Sequence, residues 1–159
     1  AQRDGWIWLD FPAKPVSRVA APAGLAAALG AEFSFTGEND LGYLVVELAN
    51  ERAVRGLMPD LHAIGSLPAK GVVVTARGSG DYDFVSRFFA PALGVPEDPV
   101  TGSAHCSLAP FWVERLGRSE LTGFQASARG GEVCVRAAGD RVHLGGRAVT
   151  VMRGTLVGI

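Results

Sequence analysis

The chain has 159 residues, of which 48% are hydrophobic and 19% charged, enough for one compact domain with a substantial core. The 15 Lys and Arg residues and 16 Asp and Glu residues leave a net charge of -1, which offers no electrostatic basis for binding nucleic acid or an anionic membrane. No apolar run reaches the roughly 18 residues of a membrane span, and residues 1–4 do not open a signal peptide, so we expect a soluble cytoplasmic protein.

The first half of the chain predicts short strands and helices separated by Gly and Pro. In chain order, the expected elements are a strand over residues 6–11, a helix over 22–29, a hairpin of strands 33–35 and 43–48, helices capped by Asn50 and Asp60 that run to residues 57 and 67, and strands over 71–76 and 83–89. The strand over residues 71–76 is rich in Val, which is typical of a strand suited to burial.

The second half is dominated by one long helix, predicted over residues 101–116. Its apolar side chains cover more than a narrow stripe, so we expect a central, largely buried helix. Pro110 lies inside it and removes one backbone donor, which predicts a kink or local opening because the apolar pattern continues to Leu116. Short strands are expected afterwards over residues 121–127, 132–137, 141–144 and 148–157. Together these elements predict one α+β domain without repeats or linkers.

The residues around the start of that helix carry the most informative chemical pattern. Glu97 and Asp98 lie just before it, and the free N–H groups of a first helical turn, with the positive end of the helix dipole, are suited to bind a carboxylate. Gly102 allows a ligand to approach closely, and the hydroxyls of Thr101 and Ser103 can add donors. The plainer interpretation is that Asp98 only caps the helix, which is worth about 1 kcal/mol.

Other reactive side chains carry weaker patterns. Cys106 and Cys134 form no CxxC pair, and the three histidines lack ligand spacing, so no metal site is expected. His105 is more simply explained as a core residue than as a proton carrier. Arg87 and Arg129 could reach a substrate carboxylate, although arginines beside turns more often form structural pairs or face water.

Three blocks of sequence, residues 86–91 (SRFFAP), 97–105 (EDPVTGSAH) and 125–131 (QASARGG), together resemble the PhzF-type phenazine-biosynthesis-like family and occur in its order. Residues 8–13 resemble the junction between that family's two domains, so the resemblance, which covers essentially the whole chain, implies the second, C-terminal domain only, over residues 1–159. It also implies a diaminopimelate epimerase-like fold: a curved, barrel-like mixed sheet wrapped around a central helix, with the active site between two similar domains.

The resemblance further implies acid–base isomerisation of a small carboxylate substrate without metal or cofactor. The main base in that family is a glutamate of the first domain, and no residue here matches its motif. The matched positions are Asp98, which would assist proton transfer or substrate placement, and Ser103, which with the backbone of Gly102 would contact the substrate. Thr101, whose hydroxyl is a candidate donor, is predicted as a further substrate-binding residue. Removing a proton from carbon requires a base and donors aimed at the developing charge, and this chain supplies the donors.

Two kinds of partner follow from that interpretation. The chain is expected to bind a small carboxylate or another small anion, and to associate either with the missing N-terminal domain or with a second copy of itself as a homodimer. The alternative function is a non-catalytic module that uses the same helix start to bind a small anion or another protein.

Overall fold

The computed structural model describes residues 2–3, 5–155 and 157–158. Its strands are β1 (Gln2–Arg3), β2 (Trp6–Pro12), β3 (Ser17–Arg18), β4 (Phe33–Glu38), β5 (Tyr43–Leu48), β6 (Gly71–Arg77), β7 (Phe84–Ala90), β8 (Val95–Asp98), β9 (Glu120–Gln125), β10 (Gly131–Ala138) and β11 (Arg141–Gly146). Its helices are α1 (Leu25–Leu29), α2 (Glu51–Arg55), α3 (Leu61–Gly65) and α4 (Gly102–Leu116), with a 3-10 turn at Pro91–Leu93.

All the strands belong to one mixed sheet with the order β1-β2-β11-β10-β9-β7-β6-β5-β4-β3, and β8 pairs with β7 beside this path. The β5–β6 and β7–β9 pairs are parallel, and the other pairs are antiparallel. The sheet is open, because β1 and β3 stand at the two ends of the order. Within the described residues, no helix combines the length and apolar character that a membrane span requires.

The sheet curves around α4, because strands far apart in its order contact the same helix. Phe35 of β4 lies 5.2 Å from Phe111 between ring centroids, Thr75 of β6 accepts a hydrogen bond from Trp112, and Leu144 of β11 belongs to the same buried cluster. From β4 to β11 there are six strand spacings, about 29 Å if the sheet were flat, whereas a helix is about 10 Å across. The prediction of an α+β fold with a curved mixed sheet around a central helix is confirmed.

The central strands β5 to β7 are buried on both faces. Val73 packs in the cluster around α4, whereas its neighbours Val72 and Val74 pack in a second cluster with α1, α2 and α3 on the opposite face. Successive side chains of a strand point to opposite faces, so both clusters require apolar residues here. This explains the uninterrupted Val run.

Pro110 does not interrupt α4, which is assigned as helix throughout Gly102–Leu116. The carbonyl of Cys106, which would accept the N–H of residue 110 in a regular helix, instead accepts the backbone N–H of Lys14 at 3.0 Å. The segment after β2 therefore supplies the donor that proline lacks. The kink or local opening expected at Pro110 stays a prediction.

The helix caps agree with the sequence. Asn50 Oδ1 accepts the N–H of Ala53 at 3.0 Å, and Asp60 caps α3 in the same way. The helix predicted over residues 22–29 is shorter, because Gly24 has a φ of 86°, outside the helical region, and α1 begins only after it.

Two predictions about strands were wrong. No strand was predicted between residues 89 and 101, but β8 lies there and pairs with β7. The strand predicted over residues 148–157 is not formed in residues 148–155 or at 157; Leu156 lies outside the described residues. Val149 and Val151 are 84% and 90% exposed, and a strand forms only where a neighbouring strand can pair with it.

A contrast between two buried hydroxyls tests this core. Thr75 Oγ1 accepts from Trp112 Nε1 at 2.9 Å, whereas Ser86 Oγ has no hydrogen-bond partner among the described residues. We expect Thr75→Val to lower the free energy of unfolding by about 1–3 kcal/mol, because the indole N–H loses its acceptor, and Ser86→Ala to be neutral or stabilising. Urea denaturation of both variants measures this; a larger loss in Ser86→Ala would contradict the assigned bonds.

Candidate functional site

The site forms where two strand ends meet on one edge of β7. β6 pairs with β7 along its whole length, so β8 and β9 must share the opposite edge. Asp98 at the end of β8 pairs with Phe88, and Gln125 at the end of β9 pairs with Ser86. The two ends therefore approach each other from opposite directions, and α4 begins at Gly102, four residues after Asp98.

Gln125 joins these strand ends through its side-chain amide. Its Oε1 accepts the N–H of Thr101 at 2.8 Å, and its Nε2 donates to the carbonyl of Asp98 at 2.6 Å and to Thr101 Oγ1 at 3.1 Å. Gln125 is only 1% exposed. A buried amide with its polar atoms paired fixes its partners more firmly than an exposed one.

The carboxylate of Asp98 is held by Thr101, whose Oγ1 donates to Asp98 Oδ2 at 2.6 Å. Among the described residues, that carboxylate accepts no backbone N–H of α4, and the residue in the cap position is Thr101, with no side-chain bond to the helix. The structure therefore does not show Asp98 as a simple helix cap. The Thr101 hydroxyl, predicted as a donor to substrate, serves Asp98 instead in this structure.

The first three backbone amides of α4 are the hydrogen-bond donors of the candidate site. Within the described residues, no acceptor binds the N–H of Gly102, Ser103 or Ala104, as expected where a helix provides no earlier carbonyls and no side chain takes their place. Gly102 is exposed and Ser103 half-buried. These amides are available to a ligand, and the helix dipole makes an anion the favoured kind.

A cavity of about 600 Å³ opens beside Gly102. Ile7, Leu9 and Phe11 of β2 line one side of it, and Arg129 lies among its polar lining residues. The three apolar side chains are 36–53% exposed. The cavity therefore joins a helix start rich in donors to an apolar wall, a combination suited to a small molecule with a carboxylate and a carbon framework.

The predicted site residues divide into two groups. Gly102 lines the cavity directly, whereas Asp98, Thr101 and Ser103 are not among its lining residues. Asp98 and Ser103 are half-buried and Thr101 is buried at 6% exposure. The structure thus brings all four residues to one turn, with Gly102 as the point of contact with the cavity.

The sequence block 125–131 fixes this turn at two further points, which the sequence alone did not reveal. Ser127 Oγ donates to the carbonyl of Pro99 at 2.7 Å, and a Cβ at position 131 would collide with Val100, so only glycine fits there. The resemblance pointed to this block but assigned its residues no role, since their partners lie 24–31 positions away.

His105 is neutral in the folded protein. Its Nδ1 lies 2.8 Å from the carbonyl of Thr101 and donates to it, while Nε2 has no partner among the described residues. The ring is fully buried, and this burial lowers the pKa of His105 to about 4. These facts suit a core histidine that supports the carbonyl of Thr101.

Arg87 is occupied by protein groups. Its guanidinium binds both carboxylate oxygens of Glu97, at 2.7 and 3.0 Å, and donates to the carbonyl of Leu57 at 2.6 Å. It therefore joins β7, β8 and the segment that follows α2. This bidentate pair positions the strand that leads into Asp98, which makes Arg87 a structural residue in this structure.

The two cysteines lack the signs of reactive thiols. Burial raises the pKa of Cys106 and, in the same way, that of Cys134, so both stay protonated near neutral pH. Within the part of the chain that the structure describes, no three His, Cys, Asp or Glu residues are close enough together to hold a metal ion.

An open mixed sheet curved around one buried helix defines an epimerase-like fold. A predicted epimerase from Pseudomonas aeruginosa shares it, with a TM-score of 0.64 and 22% identity over 96% of this chain. The sequence places the protein more narrowly. The family described as phenazine biosynthesis-like protein matches residues 8–154, so the chain belongs to the phenazine biosynthesis-like (PhzF) family.

The similar proteins include some that are named as isomerases, and the similar solved structures include members of the PhzF family. An uncharacterized isomerase of Pseudomonas aeruginosa is 51% identical over 98% of this chain and 59% of its own length, and one from Halalkalibacterium halodurans is 42% identical over 99% and 60%. A PhzF-family crystal structure from Enterococcus faecalis superposes with a TM-score of 0.87 at 37% identity, covering 92% of this chain and 55% of that one. The chain therefore spans about three fifths of these curated relatives.

The pKa of His105 predicts an acid-sensitive stability. Its value in the folded state, about 4, lies below the ordinary 6.5, so the unfolded chain binds a proton that the folded chain does not between these values. The free energy of unfolding should fall by about 3 kcal/mol from this group as pH drops from 6.5 to 4. The free energy of unfolding is measured by urea denaturation at several pH values in this range. It should depend less steeply on pH in His105→Gln, a substitution that keeps a donor to the carbonyl of Thr101.

The matched control is His62→Gln, which alters an exposed histidine of α3. If the free energy of unfolding depends on pH equally steeply in His105→Gln and in the unsubstituted chain, the assignment of a neutral, buried imidazole is contradicted.

Proposed function

We propose that this chain forms the substrate-orienting part of a PhzF-like isomerase, which transfers a proton on a small carboxylate substrate by acid–base chemistry without metal or cofactor. Membership of the family, and the isomerases among its similar proteins, support the reaction class. The observation that carries the finer proposal is the set of unpaired amides at the start of α4, next to a cavity of about 600 Å³.

In this proposal the substrate carboxylate binds the amides of Gly102 and Ser103. When a base removes a proton from the adjacent carbon, negative charge moves onto the carboxylate oxygens, and fixed N–H donors stabilise that charge better than water does. The Ser103 hydroxyl, which has no partner among the described residues, adds a further donor. These groups lower the barrier without being changed.

Asp98 assists the proton transfer or the placement of substrate. Its carboxylate is half-buried and is oriented by the Thr101 hydroxyl at 2.6 Å. Thr101 therefore contributes through Asp98. The main base comes from outside these residues, because the motif of the family's glutamate has no match in the sequence.

We further propose that the remainder of the parent protein covers the apolar side of the cavity. Ile7, Leu9 and Phe11 lie exposed on one side of β2, and the chain spans 59–60% of its curated relatives. A second copy of the chain is the other occupant that could cover this surface. A non-catalytic, anion-binding role remains the alternative function, and the absence of proton exchange in the complete protein would favour it.

The anion site is tested by removing a single N–H donor. We expect Gly102→Pro to weaken acetate binding about tenfold, since hydrogen bonds to charged groups are the strong ones. Proline suits this position, because the N–H is unpaired within the helix and the preceding Thr101 is extended at φ −113° and ψ 107°. The affinity is measured by NMR titration of the chain's backbone amides with acetate.

The control is Gly102→Ala, which keeps the N–H and adds a Cβ whose closest neighbour would be Leu144 Cδ1 at 3.9 Å, an ordinary contact. Equal weakening of acetate binding in both variants would indicate a steric effect and count against the amide site. The site would also be contradicted if the Gly102 and Ser103 signals of the unsubstituted chain did not respond to acetate.

The division of catalytic groups is tested by proton exchange. We expect the chain alone to show no enzymatic incorporation of solvent deuterium into amino acids or dihydroaromatic carboxylates, because the main base is missing. NMR or mass spectrometry measures the incorporation. Glu132 is the carboxylate among the described cavity-lining residues, so Glu132→Gln and Asp98→Asn are the informative variants. Robust exchange that either substitution abolishes would place the base in this chain and overturn the proposal.

A further inference from the structure

We propose that Gln125 is a positioning residue that directs the hydroxyl proton of Thr101 to Asp98 and so sets the orientation of the Asp98 carboxylate. The proposal rests on the proposed function only in assigning Asp98 a role in the reaction. The positioning itself follows from the hydrogen bonds of three residues.

The direction of the Thr101–Asp98 bond follows from what each group can donate. The side-chain amide of Gln125 has two N–H donors, and they point to the carbonyl of Asp98 and to Thr101 Oγ1. Thr101 Oγ1 therefore accepts from Gln125. A hydroxyl has one proton, and that proton is left for Asp98 Oδ2, 2.6 Å away. Gln125 thus determines which way the hydroxyl points.

The same amide holds the backbone of the turn at both ends. Oε1 of Gln125 accepts the N–H of Thr101 at 2.8 Å, and Nε2 donates to the carbonyl of Asp98 at 2.6 Å. Because Thr101 N–H is used in this way, the unpaired donors of α4 begin only at Gly102. One buried side chain therefore sets both the acceptor, Asp98, and the first donor of the proposed ligand site.

The chemistry requires an amide at this position. In Gln125→Glu the shape is kept, but an ionised carboxylate cannot donate. Its second oxygen would face the carbonyl of Asp98 and would attract the hydroxyl proton of Thr101 away from the Asp98 carboxylate. In Gln125→Met the volume is similar and all three bonds are lost.

A matched control lies in the same row of the sheet. The register pairs Thr75 with Ser86 and Ser86 with Gln125, so these side chains share one face, toward α4. Thr75 is buried as fully as Gln125, at 0% and 1% exposure, and also bonds to α4, through Trp112. Thr75→Val therefore removes a buried bond between sheet and helix without touching the turn at Asp98.

The experiment is NMR of the chain labelled with carbon-13 and nitrogen-15. We expect Gln125→Glu and Gln125→Met to move the side-chain carboxyl carbon signal of Asp98 and to reduce the protection of the Thr101 amide against hydrogen exchange about tenfold, as loss of one hydrogen bond predicts. Thr75→Val should leave the Asp98 signal unchanged. Thr101→Val should move the Asp98 signal, and adding Gln125→Met to it should move that signal little further, because both act through one bond.

An Asp98 signal that stays unchanged in both Gln125 variants, or that moves equally in Thr75→Val, would overturn the proposal. If the Gln125 variants do not fold, the unsubstituted chain decides: a Thr101 hydroxyl proton observed by NMR with a nuclear Overhauser contact to the Gln125 amide protons supports the proposal, and its absence contradicts it. These signals do not depend on a ligand, so failed acetate binding would remove the proposed function and leave this result standing.

Discussion

The start of α4 is the constraint on which the site depends. A helix leaves its first N–H groups without intrahelical acceptors, and burying them requires partners from elsewhere in the fold. The sheet surrounds the body of α4 with apolar side chains, whereas near its start it supplies one acceptor, the Gln125 side chain, for Thr101. The next three amides stay unpaired within the described residues, and they leave a polar opening at the start of the helix.

A break in the sheet, between the ends of β8 and β9, makes that polar opening possible. β8 and β9 end against the same edge of β7, and neither continues past the other, so the sheet has a break where Asp98 and Gln125 meet. A continuous strand would place backbone partners there and leave no room for a helix to begin. The break is stabilised from both sides, by Gln125 toward α4 and by the pair of Arg87 with Glu97 on the opposite face.

Much of the fold could be predicted because its signals are local. The apolar surface of α4, the caps at Asn50 and Asp60 and the Val run of β6 are each visible within a few residues. The pairing of backbone groups was not visible in the same way. β8 is a strand because Asp98 and Val95 pair with Phe88 and Ala90 on the edge of β7. The carbonyl of Cys106, left without a donor by Pro110, accepts the N–H of Lys14 from the segment after β2.

The site shows the same limit more sharply. Asp98, Thr101, Gly102 and Ser103 were predicted as a group because they are consecutive or nearly so, but the predicted roles were those of independent donors and acids. In the structure these residues differ in how many of their hydrogen-bonding groups are already used by other protein groups. Once Gln125 has used the N–H and a lone pair of Thr101, the hydroxyl of Thr101 has one remaining direction, toward Asp98. The groups left for a ligand are then the second carboxylate oxygen of Asp98, which is half-buried, and the unpaired amides from Gly102 onward. In the proposed function, such a site binds and orients the substrate, and we propose that the base approaches it from the open side of the cavity.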